Sequence, residues 1–160
     1  MNRTATDADI DARTEVFKTR VGTDIGEFLT DFDQCVSHEL AESLSDTLRV
    51  NTMGVIERNQ HIIRQEMQTV IINTSRNFFA NRTTNTTDAS NYEVILRRSL
   101  SHYVYEVINP VIEAELRKYL SGSLTSRTVD NIGDRASLML DILHRKLMTD
   151  AYNSYRGMKS

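Results

Sequence analysis

An all-α fold, a bundle of about four main helices, is predicted by three observations. Apolar residues recur every three or four positions through four long segments, the spacing that gathers them onto one face of a helix. No segment shows the sustained period-two alternation, bounded by turn residues, that marks a strand. Breaks in the pattern are few: a polar stretch at 81–90, Pro110, and Ser121-Gly122-Ser123. A chain of 160 residues fits one domain, long enough to bury a core of its own.

The first segment carries Val21, Ile25, Phe28, Phe32, Val36, Leu40, Leu44 and Leu48 as one stripe, with Asp24, Glu27, Asp31, Asp33, Glu39 and Glu42 on other faces. Thr6 and Asp9 have the spacing of a capping box near its start. Gly22 and Gly26, one turn apart, either weaken the helix or admit a close neighbour. A second stripe follows with Ile56, Ile63, Met67, Val70, Thr74 and Phe78, widened by Ile62 and Ile71. The stop between the two is placed at Asn51-Thr52-Met53-Gly54. Without a bend there, the two segments would form one rod about 110 Å long, an extended helical arm at the N-terminus. Two helices joined near position 52 are favoured.

The stretch Asn81-Arg-Thr-Thr-Asn-Thr-Thr-Asp-Ala-Ser90 is read as a polar linker, because its side chains compete with the helical backbone for hydrogen bonds. Ser90 and Glu93 then form a capping box for a third segment, in which Leu96, Leu100, Tyr103, Val107, Val111 and Leu116 recur up to Leu120. Pro110 predicts a kink or a restart with Asn109 as N-cap, since proline lacks the amide donor and clashes with the carbonyl four residues back. After the Ser121-Gly122-Ser123 terminator, the last stripe runs through Val129, Ile132, Ala136, Met139, Leu140, Leu143, Leu147, Ala151 and Tyr155.

Charge is unevenly placed. Residues 1–50 hold 11 acids against 5 Lys and Arg, a net −6; residues 51–160 hold 11 against 14, a net +3, and together they give the −3 of the whole chain. An acidic first third beside a mildly basic remainder lets copies or partners dock head to tail. Arg outnumbers Lys fifteen to four, and its planar fork suits ion pairs at interfaces. No apolar run exceeds three residues, so a membrane span of about 20 is excluded. The polar, acidic N-terminus lacks a secretory apolar stretch and Cys35 is the single cysteine, which together point to an intracellular protein or one housed in an assembled particle. The N-x-[ST] matches at Asn2, Asn73, Asn81 and Asn85 are read as accidents of an Asn- and Thr-rich composition.

Candidate chemistry is thin. His38 with Glu42, Glu57 with His61, His102 with Glu106 and Asp141 with His144 have helical pair spacing, geometrically able to ligate a metal or move protons. A helical di-metal site needs Glu-x-x-His from each of two helices, whereas this chain has one Asp-x-x-His and no Glu-x-x-His. Cys35 lies beside Val36 on the apolar stripe and reads as buried filler. Phosphate-loop, dinucleotide, zincin and nucleophile-elbow signatures are missing. Arg97-Arg98 near Tyr92, Tyr103 and Tyr105 could suit nucleic acid, but neighbouring acids and a pI near 5.8 favour a solvated helix face.

What remains is an expectation of a non-enzymatic structural or scaffold protein, without cofactor or metal, whose partners are proteins. It would self-associate through helices, as a homo-oligomer or as part of a larger assembly such as a minor capsid or internal virion component. Contacts are expected from Val21, Ile25, Phe28, Phe32, Ile56, Ile63, Met67 and Val70, with Arg97 and Arg98. A monomeric adaptor for a partner peptide is the alternative, and a small helical metal-dependent enzyme the weaker one.

Overall fold

The computed structural model describes residues 7–80 and 89–156. They form an antiparallel four-helix bundle: α1 (Asp7–Ser43), α2 (Asp46–Ala80), a third helix made of α3 (Ala89–His102), a π-helical turn (Tyr103–Ile108) and α4 (Asn109–Leu116), and finally α5 (Gly122–Ser154). Among the described residues there is no strand. The α1 helix packs against α2 and α5, and the third helix closes the ring against the same two. The proposed capping box at Thr6 lies outside the described residues. So do positions 81–88 of the polar linker, with Asn2, Asn81 and Asn85. The backbone of Ala89 and Ser90 is already helical, so the third helix begins inside the stretch read as linker.

The first two segments fold back as a hairpin, not as a rod or an arm. The bend falls at Leu44–Ser45 and not at Asn51–Gly54, which lie within α2. Thr52 explains this, because its hydroxyl donates to the Leu48 carbonyl at 2.9 Å while the residue is fully buried. Its competing side chain therefore serves the helix from inside. At the true joint the Ser45 carbonyl accepts from the Arg49 amide at 2.9 Å, Asp46 opens the first turn of α2, and Arg49 lies 3.5 Å from the Asp46 carboxylate. An acid at this position complements the positive end of the helix. Gly22 and Gly26 are where α2 comes close: Gln68 reaches the Lys18 carbonyl at 3.3 Å and Arg64 the Gly22 carbonyl at 3.3 Å. A Cβ on Gly22 would stand 3.4 Å from the Gln68 amide.

The stripes become the core. Val21, Ile25, Phe28, Phe32, Val36 and Leu40 of α1, Ile56, Ile63, Met67 and Ile71 of α2, and Ile132, Ala136, Leu140, Leu143, Leu147 and Ala151 of α5 are all buried. Each such large side chain removed from water stabilises the fold by roughly 1.5–3 kcal/mol before entropy is counted. Two stripes slip by one residue. Late in α2 the buried positions are Ile71, Ser75 and Phe79, leaving Val70, Thr74 and Phe78 half-buried. In the third helix Tyr92, Leu96, Leu100, Val104, Ile108, Ile112 and Leu116 are buried at intervals of four, while Tyr103, Val107 and Val111 sit at the edge.

Pro110 accounts for the second slip. An ordinary helix drifts about 40° with every four-residue step, and over the six steps from Tyr92 to Leu116 a wider turn offsets part of that drift. That turn is the π-helical segment: the Asn109 amide bonds to Val104, five residues back. It ends where Pro110, lacking an amide hydrogen, cannot continue the ladder. No restart occurs. Asn109 is itself helical at φ −58° and ψ −42°, so it is not the N-cap expected from the sequence.

Candidate interaction surface and polar cleft

The residues expected to meet other molecules are divided by the fold. Val21, Ile25, Phe28, Phe32, Ile56, Ile63 and Met67 are buried within the chain's own core, and Val70 is half-buried. Their stripe is therefore consumed by neighbouring helices and is not available to a partner. Arg97 and Arg98 are exposed. Arg97 is committed to carboxylates, its Nη1 donating to Asp141 at 2.9 Å and its Nε lying 3.5 Å from Glu93. Tyr92, one of the tyrosines beside this doublet, is fully buried with its hydroxyl 2.6 Å from that of Ser75. Of the tyrosines of this segment, Tyr92 is therefore withdrawn from the surface that carries the doublet, while Tyr105 stays exposed.

Exposed apolar side chains occur on every helix of the bundle, among them Val16, Val50, Ile62 and Val94, and on α5 two of them fall one turn apart. Leu138 is 68% exposed and Ile142, one turn on, 52%. Arg135 and Arg145 are exposed at three residues before Leu138 and three after Ile142. At that spacing the four side chains form one stripe on the outer face, opposite the buried one. Sequence reading passed over it because the 138–142 stretch also holds Met139 and Leu140, which point towards the core and dominate the periodicity.

Beside that stripe, between the third helix and α5, lies a cleft of about 160 Å³. Its polar lining is Arg97, Ser101 and Tyr105 from one helix and Ser137, Asp141 and His144 from the other. The π-helical turn carries Tyr105 to Ser137, where the two hydroxyls hydrogen-bond. His144 is 4% exposed, and neither ring nitrogen completes a well-aligned hydrogen bond, although the Glu93 backbone lies within reach of the ring. Burial, then the nearby Arg97 guanidinium, holds its pKa below the usual imidazole value against the opposing charges of Glu93 and Asp141. The imidazole is thus neutral at pH 7, with one nitrogen a donor and the other an acceptor.

The other histidine pairs are dispersed. His102 Nδ1 lies 3.0 Å from Glu106 on an exposed face, and His61 sits 3.4 Å from the Gln65 amide. Among the described residues no three His, Cys, Asp or Glu side chains converge to hold a metal ion. Cys35 is buried, and desolvation pushes its thiol above the usual value, away from the reactive thiolate. No helix among the described residues is long and apolar enough to cross a membrane. No protein family matches the chain, and no similar curated protein or solved structure is found.

Proposed function

We propose that the chain is a non-enzymatic structural protein that works by helix-mediated association, with the outer face of α5 as its contact surface and a second copy of the chain as its partner. The observation that carries this reading is the pair Leu138 and Ile142, exposed one turn apart between Arg145 and an Arg135 that is itself ion-paired to Glu39. An apolar centre flanked by arginines is the composition favoured at protein contacts. On α1, Asp31 and Glu42 are exposed three turns apart on one face and supply the opposite charge. A contact between α5 of one copy and α1 of the next is heterologous, and such contacts build rings or open filaments. A minor capsid or internal component of a virion is the specific assembly this reading names.

Sedimentation across a concentration series tests it. The wild-type chain should form species larger than the monomer, more weakly at high salt. Leu138→Glu combined with Ile142→Glu should give a folded monomer by circular dichroism. A wild-type chain that stays monomeric throughout, or a double variant that assembles unchanged, overturns the reading. A monomeric adaptor is the second reading, supported by the cleft at His144, whose polar lining suits a partner's polar side chain.

A further inference from the structure

Ion pairs line the seam between α1 and α5. Arg135 lies 3.1 Å from Glu39, Lys146 lies 2.5 Å from Glu27, and Arg20 lies 3.9 Å from Asp150. Between the last two pairs the carboxyl of Asp24 on α1 meets that of Asp150 on α5. The Oδ2 atom of Asp24 is buried with no donor to accept from, and the Asp150 side chain is only 16% exposed. An ionised carboxylate is an acceptor only, so two of them face to face leave lone pairs unmatched and repel. One proton placed between them turns the contact into a short hydrogen bond. Neither nearby cation replaces it, since Lys146 is held at Glu27 and Arg20 touches only the far partner, at the limit of an ion pair.

We propose that Asp24 and Asp150 share one proton across the seam and form a clasp that grips α1 to α5 more tightly as the solution becomes acidic. Burial first, then the hydrogen bond and charge of Asp150, push the Asp24 carboxyl up to about 7, with Glu27 adding to the shift and Lys146 opposing it. The groups facing the pair are Arg20 and Glu27 from α1 and Lys146 from α5, and Asp31 acts on Lys146 in turn. A carboxyl whose folded pKa is raised contributes stability that is fully present below its unfolded value, about 4, and is lost as pH rises through its folded value. The proton belongs to the pair, so either residue can report it.

The test compares wild type with D24N and, separately, D150N, each near-isosteric and each removing the shared titration. Tm is followed from about pH 4 to above pH 7, and the side-chain carboxyl carbons are titrated by NMR. The expected result is one carboxyl titrating near neutrality in wild type and in neither variant. Wild-type Tm should also fall relative to each variant as pH rises to about 7, then level off. Subtracting the variant removes the contribution of the histidines, which titrate alike in both. If all aspartates titrate in the ordinary carboxylate range, or the three Tm curves run parallel, the clasp does not exist. Should D24N fail to fold, D150N and the wild-type NMR titration decide alone.

Discussion

The ring of Tyr155 at the end of α5 stacks on Phe79 at the end of α2, with centroids 4.5 Å apart and planes 10° from parallel. Around this pair stand Phe17 from α1, 5.8 Å from Tyr155, and Tyr92 from the third helix, 5.3 Å from Phe79. All four helices therefore contribute a ring at the end where α2 passes to α3. The buried hydroxyls are satisfied within the same cluster, Tyr155 by Thr14 at 2.7 Å and Tyr92 by Ser75 at 2.6 Å.

Phe79→Ala should destabilise the protein by about 3–5 kcal/mol, since a buried aromatic leaves a cavity that surrounding rings refill only in part. Tyr155→Phe should cost only about 1 kcal/mol, because Thr14 keeps its second bond, to the Ile10 carbonyl at 2.7 Å. Urea unfolding with an unchanged m-value checks both.

Gly133 is buried in the middle of α5, where a Cβ would stand 3.6 Å from Asn109 Nδ2 and 3.6 Å from Tyr105 Cε1, ordinary contact distances. Gly133→Ala should therefore gain helix propensity without a clash and stabilise by roughly 0.5–1 kcal/mol. Gly133→Leu should destabilise, because its extra carbons have nowhere to go between α5 and the π-helical turn. Thermal unfolding of the two variants gives opposite shifts in Tm.

Legibility differed by level. Helical spacing alone located the four helices and most of the core, since burial on one face is what produces that spacing. The joint was misplaced because Asn51–Gly54 carries residues that compete with helices, and only the tertiary burial of Thr52 shows that they do not. Leu44–Ser45 carries no glycine or proline; its signal was Ser45 ahead of Asp46, a serine cap with a first-turn acid. The slip at Tyr103–Val107 arose because the break expected at Asn109–Pro110 takes the form of a wide turn over the preceding residues, Tyr103–Ile108, which shifts the register by one. The polar groups of the cleft were visible singly, as Arg97 and as the Asp141–His144 pair. Their meeting depends on contacts between helices, such as Arg97 with Asp141 across 44 positions, that spacing within one helix does not encode.

Leu143 and Leu138 separate the two faces of α5. Leu143 is buried at 1% exposure and Leu138 stands out at 68%. Leu143→Ala should cost about 2–5 kcal/mol of stability, while Leu138→Ala should stay within about 0.5 kcal/mol for the monomer. Any larger effect of Leu138→Ala that appears only at high protein concentration reports the association surface.

His144 gives a pH dependence opposite in sign to that of the α1–α5 seam. Burial, with Arg97 adding to it, lowers its pKa in the folded protein, whereas the unfolded chain keeps the ordinary value near 6.5. A group with a depressed folded pKa contributes stability that is present above the unfolded value and is lost as pH falls through the folded one. Acidification below about pH 6.5 should therefore weaken the packing of α5 against the third helix, because protonation puts a second positive charge beside Arg97 on a buried ring. His144→Gln keeps a donor and an acceptor without titrating, so its stability relative to wild type should rise as pH falls through this window. Hydrogen exchange at amides of α5 near His144 localises the effect: exchange should accelerate on acidification, relative to the variant, in wild type alone. A wild-type imidazole that titrates at or above the ordinary value would mean that the ring reaches solvent or an anionic partner, and the predicted loss of stability would then vanish.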